Sequence, residues 1–239
     1  MIAALPEPAS VDSISRGCTM RRKIKRRLHT LRTMWKNRQQ LAAVVGSHLF
    51  FLENRDVTVW GGISEDDERG IREAVARAAP HNGPIVEIGA LFGWTTQLIA
   101  SLKSPEKELI AVDNFCWNPF GIPPDDHRVV TQRTLHYCLE HCRTRIFDGT
   151  ARAFYDSYQG PTPSMVFIDA DHSYAATRDD IAWACDRGVP VIAGHDYQSK
   201  LHQAVVRAVD ERFFGHFDLF GSVWIAEGRG AQPRAALAA

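Results

Sequence analysis

From residue 84 onward the chain repeats one alternation five times: a short apolar run, a glycine or an acid, then a stretch with helical periodicity. "PIVEIG" precedes "GWTTQLIASL", and "ELIAVD" precedes a loop rich in Pro, Phe and Trp (114–125) and a helical pattern over about 127–142. "TRIFDG" precedes "TARAFYDSY", "SMVFIDA" precedes "YAATRDDIAWACDRG", and "VPVIAGHD" precedes "SKLHQAVVRAVDERF". "HFDLFGSVWIAE" then reads as a closing pair of strands. Near-continuous apolar runs are the mark of strands buried on both faces, and parallel neighbours need a crossover, usually a helix. The expectation is an α/β fold: a mostly parallel seven-stranded sheet with helices on both faces.

A further helix is expected ahead of the first strand. In "SEDDERGIREAVARAA", Ser64 is the candidate N-cap, Asp67 stands three residues on, and acids fill the first turn, where the helix dipole favours them. "WGGIS" (60–64) reads as a turn. The organisation expected is a flexible leader over 1–19, a basic helical arm over 20–59, one catalytic-size domain over 60–228 and a disordered tail over 229–239. Met20, just before "RRKIKRR", is a second candidate start.

Charge divides the chain the same way. The whole sequence is neutral, but residues 1–40 hold ten Lys and Arg against Glu7 and Asp12, so the remainder is acidic by the same margin. An acidic body is not expected to bind nucleic acid. In the arm, Ile24, Leu28, Leu31 and Trp35 recur at helical spacing between cations. Such a helix can lie on the domain, on a second subunit in a homo-oligomer, or through 21–45 on an anionic membrane surface. No run reaches the ~18 apolar residues of a membrane span, and no apolar segment follows the basic cluster as in a secretory signal. Five cysteines without a CxxC pair fit a reducing, cytoplasmic setting.

Ligands of open parallel sheets bind beyond the carboxyl ends of the strands. Every strand of the alternation delivers an acid or a glycine there: Glu87, Gly89 and Gly93; Asp113; Asp148; Asp169, Asp171 and His172; His195 and Asp196. Helix capping accounts for one such acid more readily than for five. The first turn reads ExGxxxG, not the GxGxxG of a dinucleotide site. A carboxylate beside the turn repels phosphate and suits an ammonium group, and Asp113 stands where an acid can accept hydrogen bonds from a ribose diol. Ribose, cationic amino-acid tail and no phosphate together describe S-adenosylmethionine.

With "IVEIGALFGWTT", "AVDNF", "FIDADHSY…DDIAWA" and "VIAGHDY", residues 60–226 resemble a class I S-adenosylmethionine-dependent methyltransferase of Rossmann-like fold. They are most similar to a subgroup carrying FIDxDHSY and GHDY, itself similar to metal-dependent O-methyltransferases of natural-product sugars. The resemblance implies that Glu87, Gly89 and Gly93 hold the methionine part of the cofactor, Asp113 the ribose, and Asp148 the adenine amino group. It implies a divalent ion, Mg²⁺, on Asp169 and Asp196, and His172 as general base toward a hydroxyl of a small molecule or glycan. The family's further carboxylate beside the second metal acid is missing, since His195 and Tyr197 flank Asp196. His195 reads as a supporting partner, an alternative base or a structural histidine.

Other residues carry two readings. Asp171 with Ser173 is expected to begin a helix rather than bind metal. His127, Phe115, Trp117 and Phe120 form either a lid or a loop packed on the sheet edge. Cys138, His141 and Cys142 share a helix face but lack a fourth zinc ligand. Met165 and Trp183 are core. Two other functions compete with methyl transfer. One is a catalytically silent relative docking through its basic arm; the other is a hydroxylase-like oxidoreductase built on His172, His195 and Asp196.

Overall fold

The computed structural model describes residues 63–228 except 198, 199 and 201, and, as a separate unit, a helical stretch within 24–45 that omits 26, 40, 43 and 44. The expected leader, the 60–62 part of the turn and the tail lie outside the described residues.

The main unit is a seven-stranded sheet of β1 (Ile85–Ile88), β2 (Leu109–Asp113), β3 (Thr144–Asp148), β4 (Met165–Ile168), β5 (Val191–Gly194), β6 (Phe217–Phe220) and β7 (Val223–Glu227). Its spatial order is β3-β2-β1-β4-β5-β7-β6. The first five strands are parallel, and β7 runs antiparallel to both β5 and β6. The order reverses at β1, so the first loop sits at the switch point between β2 and β4, where ligands of such sheets collect.

Side chains alternate across the sheet and make two cores. Ile85, Leu109, Met165, Phe167, Val191 and Ala193 face α1 (Glu65–Ala78), α2 (Trp94–Leu102) and the short α4 (His136–His141). Val86, Ile88, Ile110, Val112, Val166, Ile168 and Ile192 face α5 (Ala151–Ser157), α6 (Tyr174–Asp186) and α7 (Gln203–Phe213). Glu87 falls by this alternation on the α1–α2 face, with no apolar neighbour's licence to be there.

Caps follow the sequence. Ser64 caps α1 in a capping box with Asp67, and Ser173 caps α6 while Asp171 accepts from the Ser173 N–H at 2.9 Å. The helical pattern expected over 127–142 is instead two helices, α3 (Pro124–Thr134) and α4, meeting at the buried Leu135. Helix α7 begins at Gln203, later than the pattern suggested.

In the arm unit the described residues are helical except for a turn at Asn37, and Ile24, Leu28, Leu31 and Trp35 are all exposed. No helix among the described residues is long and apolar enough to cross a membrane.

Candidate active site

The loop after β1 is shaped by its glycines. Gly89 has φ +96° and a Cβ there would lie 2.0 Å from the Asp169 carbonyl oxygen. Gly93, at φ +86°, precedes α2 and abuts the Leu135 side chain. Both positions demand glycine for the protein's own packing, before any ligand is considered.

Asp113 is tied to the same loop. Its Oδ2 accepts from the N–H groups of Ala90 and Leu91, both at 2.9 Å, and its Oδ1 accepts from Phe115 N–H at 2.7 Å. A carboxylate has about four acceptor positions, so three are spent on backbone. Leu91 takes φ +47°, and its carbonyl accepts from Thr131 Oγ1 at 2.7 Å and faces His127 Nε2 at 2.9 Å. This left-handed residue is held from both sides. His127 and Phe115 are fully buried while Trp117 is exposed, so the packed-loop reading holds for the first two. Asp148 lies 2.7 Å from Arg128 Nε in a half-exposed ion pair.

Glu87 differs from these acids. It is fully buried, its Oε2 accepts from Thr96 Oγ1 at 2.5 Å, and its Oε1 has no hydrogen-bond partner. Burial pushes its carboxyl up to about 8, against the opposing hydrogen bond from Thr96.

At the ends of β4 and β5 four polar side chains converge. His172 Nε2 lies 3.0 Å from Asp196 Oδ2 and 3.4 Å from Asp169 Oδ1. His195 is almost wholly buried, with Nδ1 3.7 Å from Asp169 Oδ2 and 3.7 Å from Asp196 Oδ1. Asp196 takes φ +61°, a left-handed conformation that Asp tolerates better than most residues and that sets its carboxylate beside both histidines. Burial alone would lower both histidines. The carboxylates outweigh it, raising His172 and carrying His195 to about 9.

Two members of this cluster were not singled out from the sequence for chemistry. Asp67, expected only as part of a helix cap, also faces His195 Nε2 at 3.4 Å, an ion-pair distance too long for a well-formed hydrogen bond. His202, just ahead of α7, lies 3.8 Å from Asp196 Oδ2 with its ring centroid 4.2 Å from that of His172. Nothing in local sequence marks Asp67, whereas His202 lies close enough to GHDY to have been suspected. Two candidate metal-ligand sets result among the described residues, Asp169–His195–Asp196 and His172–Asp196–His202. Cys138, His141 and Cys142 form no such set there, and Cys116, Cys138, Cys142 and Cys185 are free thiols.

Comparison with known proteins agrees with this architecture. The family model described as a methyltransferase domain matches residues 86–197, just under half the chain. Among solved structures, an O-methyltransferase from Bacillus cereus in complex with SAH aligns at TM-score 0.53 and 16% identity, over 79% of this chain and 89% of that one. A putative O-methyltransferase from Klebsiella pneumoniae aligns at TM-score 0.51 and 18% identity, over 68% and 77%. CalS11, a TDP-rhamnose 3'-O-methyltransferase of calicheamicin biosynthesis, aligns at TM-score 0.51 and 14% identity, over 67% and 78%. No curated protein matches the sequence. The chain therefore has the Rossmann-like class I methyltransferase fold, and the methyltransferase-domain model matches within it.

Proposed function

We propose that the protein is an S-adenosylmethionine-dependent O-methyltransferase acting on a hydroxyl of a small molecule or glycan. The observation that carries the reading is the convergence of Asp169, His172, His195 and Asp196 at the carboxyl ends of β4 and β5, one strand from the Gly89–Gly93 loop. The fold's neighbours include an SAH complex and a sugar O-methyltransferase, which is consistent with that chemistry.

The residues fit the cofactor in one specific way. The buried Glu87 Oε1 without a partner is the carboxylate oxygen an ammonium group needs, and a cation there restores the ionised form that burial disfavours. Asp113 would offer its one remaining acceptor position to a ribose hydroxyl, and Asp148 would hold the adenine amino group in competition with Arg128. When bound, S-adenosylmethionine supplies an electrophilic methyl group on a sulfonium.

A hydroxyl is a weak nucleophile because its proton is held at neutral pH. With its Nε2–H directed at the two carboxylates, His172 accepts that proton at its other ring nitrogen, Nδ1, as the oxygen bonds to the methyl carbon and the carbon–sulfur bond breaks, a role typically worth about 10²–10⁴-fold. Asp169 and Asp196, 3.4 and 3.0 Å from Nε2, stabilise the imidazolium that results. The Asp169, His195 and Asp196 donors fit a divalent ion, which when bound would lower the hydroxyl pKa and orient the acceptor.

Calorimetric titration with S-adenosylhomocysteine, followed by methyl transfer to a panel of hydroxyl acceptors, tests the reading; a chain that binds no S-adenosylhomocysteine is not this enzyme. For the arm, the exposed row Ile24, Leu28, Leu31 and Trp35 among cations supports contact with an anionic membrane surface. Salt-sensitive binding to anionic vesicles, absent from neutral ones, is the expected result; equal binding to both removes that contact.

A further inference from the structure

The oxygen and nitrogen donors at β4 and β5 are not the set a magnesium ion prefers. We infer that this centre takes a divalent transition ion that accepts imidazole nitrogen, with His195 as a ligand, and that Asp67 is the positioning residue presenting His195 to it. The inference rests on the proposed metal centre and replaces Mg²⁺ within it.

The geometry is that of ligands around one ion. His195 Nδ1 stands 3.7 Å from a carboxylate oxygen of Asp169 and 3.7 Å from one of Asp196. With metal–ligand bonds of about 2.0–2.2 Å, neighbouring donors sit roughly 3–4 Å apart. These contacts are too long for hydrogen bonds, so among the described residues Nδ1 has no partner at bonding distance. Its position replaces an oxygen ligand by a nitrogen. Mg²⁺ demands hard oxygen ligands and sheds water reluctantly, while imidazole suits the later first-row ions. His172 and His202, 3.0 and 3.8 Å from Asp196 Oδ2, make the surroundings richer still in nitrogen.

Asp67 completes the arrangement from the other side. Its Oδ2 faces His195 Nε2 at 3.4 Å and accepts from Ser64 N–H at 3.0 Å and Ser64 Oγ at 2.6 Å. Its Oδ1 accepts from Ser222 N–H at 2.6 Å and Ser222 Oγ at 3.0 Å. Four donors from α1's cap and the β6–β7 turn fix the carboxylate 3.4 Å from Nε2, across the ring from the nitrogen that faces the two aspartates. A carboxylate behind a ligating histidine is the usual way to set its orientation and basicity.

The test uses the tag-free full chain, stripped with chelator and titrated calorimetrically with Co²⁺ and with Mg²⁺, with S-adenosylhomocysteine binding measured on the same samples. Co²⁺ is expected to bind at least ~100-fold more tightly than Mg²⁺, as the ordering of divalent ions at nitrogen sites requires. Its absorption spectrum should show d–d bands without a thiolate charge-transfer band. His195→Gln should abolish the preference for Co²⁺. Asp67→Asn, which keeps an acceptor oxygen for Ser222, should weaken Co²⁺ by about 10–100-fold and leave Mg²⁺ affinity unchanged. A purely structural Asp67 would shift the thermal midpoint but not the Co²⁺-to-Mg²⁺ ratio. Equal affinity for the two ions, or a His195→Gln chain that binds Co²⁺ like the parent, overturns the inference. S-adenosylhomocysteine binding without Co²⁺ binding overturns the metal assignment alone; the reverse result overturns the methyltransferase reading alone.

Discussion

The two halves of the sheet's carboxyl rim use similar residues in opposite ways. At β2 and β3 the acids are already engaged: Asp113 holds three backbone N–H groups and Asp148 meets Arg128. At β4 and β5 the acids face imidazoles at 3.0–3.8 Å, and among the described residues His195 Nδ1 has no partner at hydrogen-bond distance. An acid most of whose lone pairs are taken by backbone shapes a loop. An acid whose neighbours are titratable or ligating groups is held ready for a ligand or a proton. An aspartate at a strand end is thus read by what occupies its oxygens, not by its position alone.

Substitutions can break this contrast. The largest effect is expected at the β4–β5 half: His172→Ala should lower turnover about 10²–10⁴-fold while S-adenosylhomocysteine still binds. Normal turnover in that variant would mean another group is the base. Next comes the loop itself. Gly89→Ala forces a Cβ against the Asp169 carbonyl at a left-handed φ, and should cost about 2–5 kcal/mol in urea unfolding. An unchanged midpoint would show that the loop yields.

Asp113→Ala separates shaping from binding. Three backbone donors lose their acceptor, so the ligand-free chain should lose about 1–3 kcal/mol. If only cofactor affinity falls, Asp113 belongs with the ligand-facing acids after all. Arg128→Ala should cost under about 1 kcal/mol, because its pair with Asp148 is partly exposed and screened; a larger loss would place Asp148 among the structural acids.

Glu87 sharpens the comparison through pH. In the folded chain it keeps its proton up to about 8, whereas unfolded it releases it near 4.5. The native state therefore binds more protons between these values, and stability falls as pH rises through that window. Ligand-free chain melted across this range should show the decline, and Glu87→Gln should make it shallower, leaving the part owed to Asp180, which burial pushes up to about 7, and to the raised His172 and His195. A Glu87→Gln curve as steep as the parent's would mean that Glu87 is ionised in the folded state.

Much of the fold was legible in the residues. Alternating apolar runs named the strands, and Ser64 and Ser173 marked two helix starts because a cap is a local hydrogen bond. The break at Leu135 was not legible: the helical period continues through it, and only burial of Leu135 against the first loop selects two helices. In the site, "FIDADHSY" and "GHDY" pointed to Asp169, His172, His195 and Asp196, since adjacent parallel strands bring their ends together. Asp171, expected to begin a helix with Ser173, accepts from the Ser173 N–H.

The sequence by itself determined the sheet, its caps and the residue types along its rim, because these follow from periodicity and contacts within a few positions. Tertiary structure alone decided which rim acids remain free. Asp113 is occupied by N–H groups more than twenty residues away, and Asp67 is pinned by Ser222 across 155 positions before it meets His195. Lone-pair occupancy depends on neighbours delivered by other strands, and no local pattern encodes that delivery.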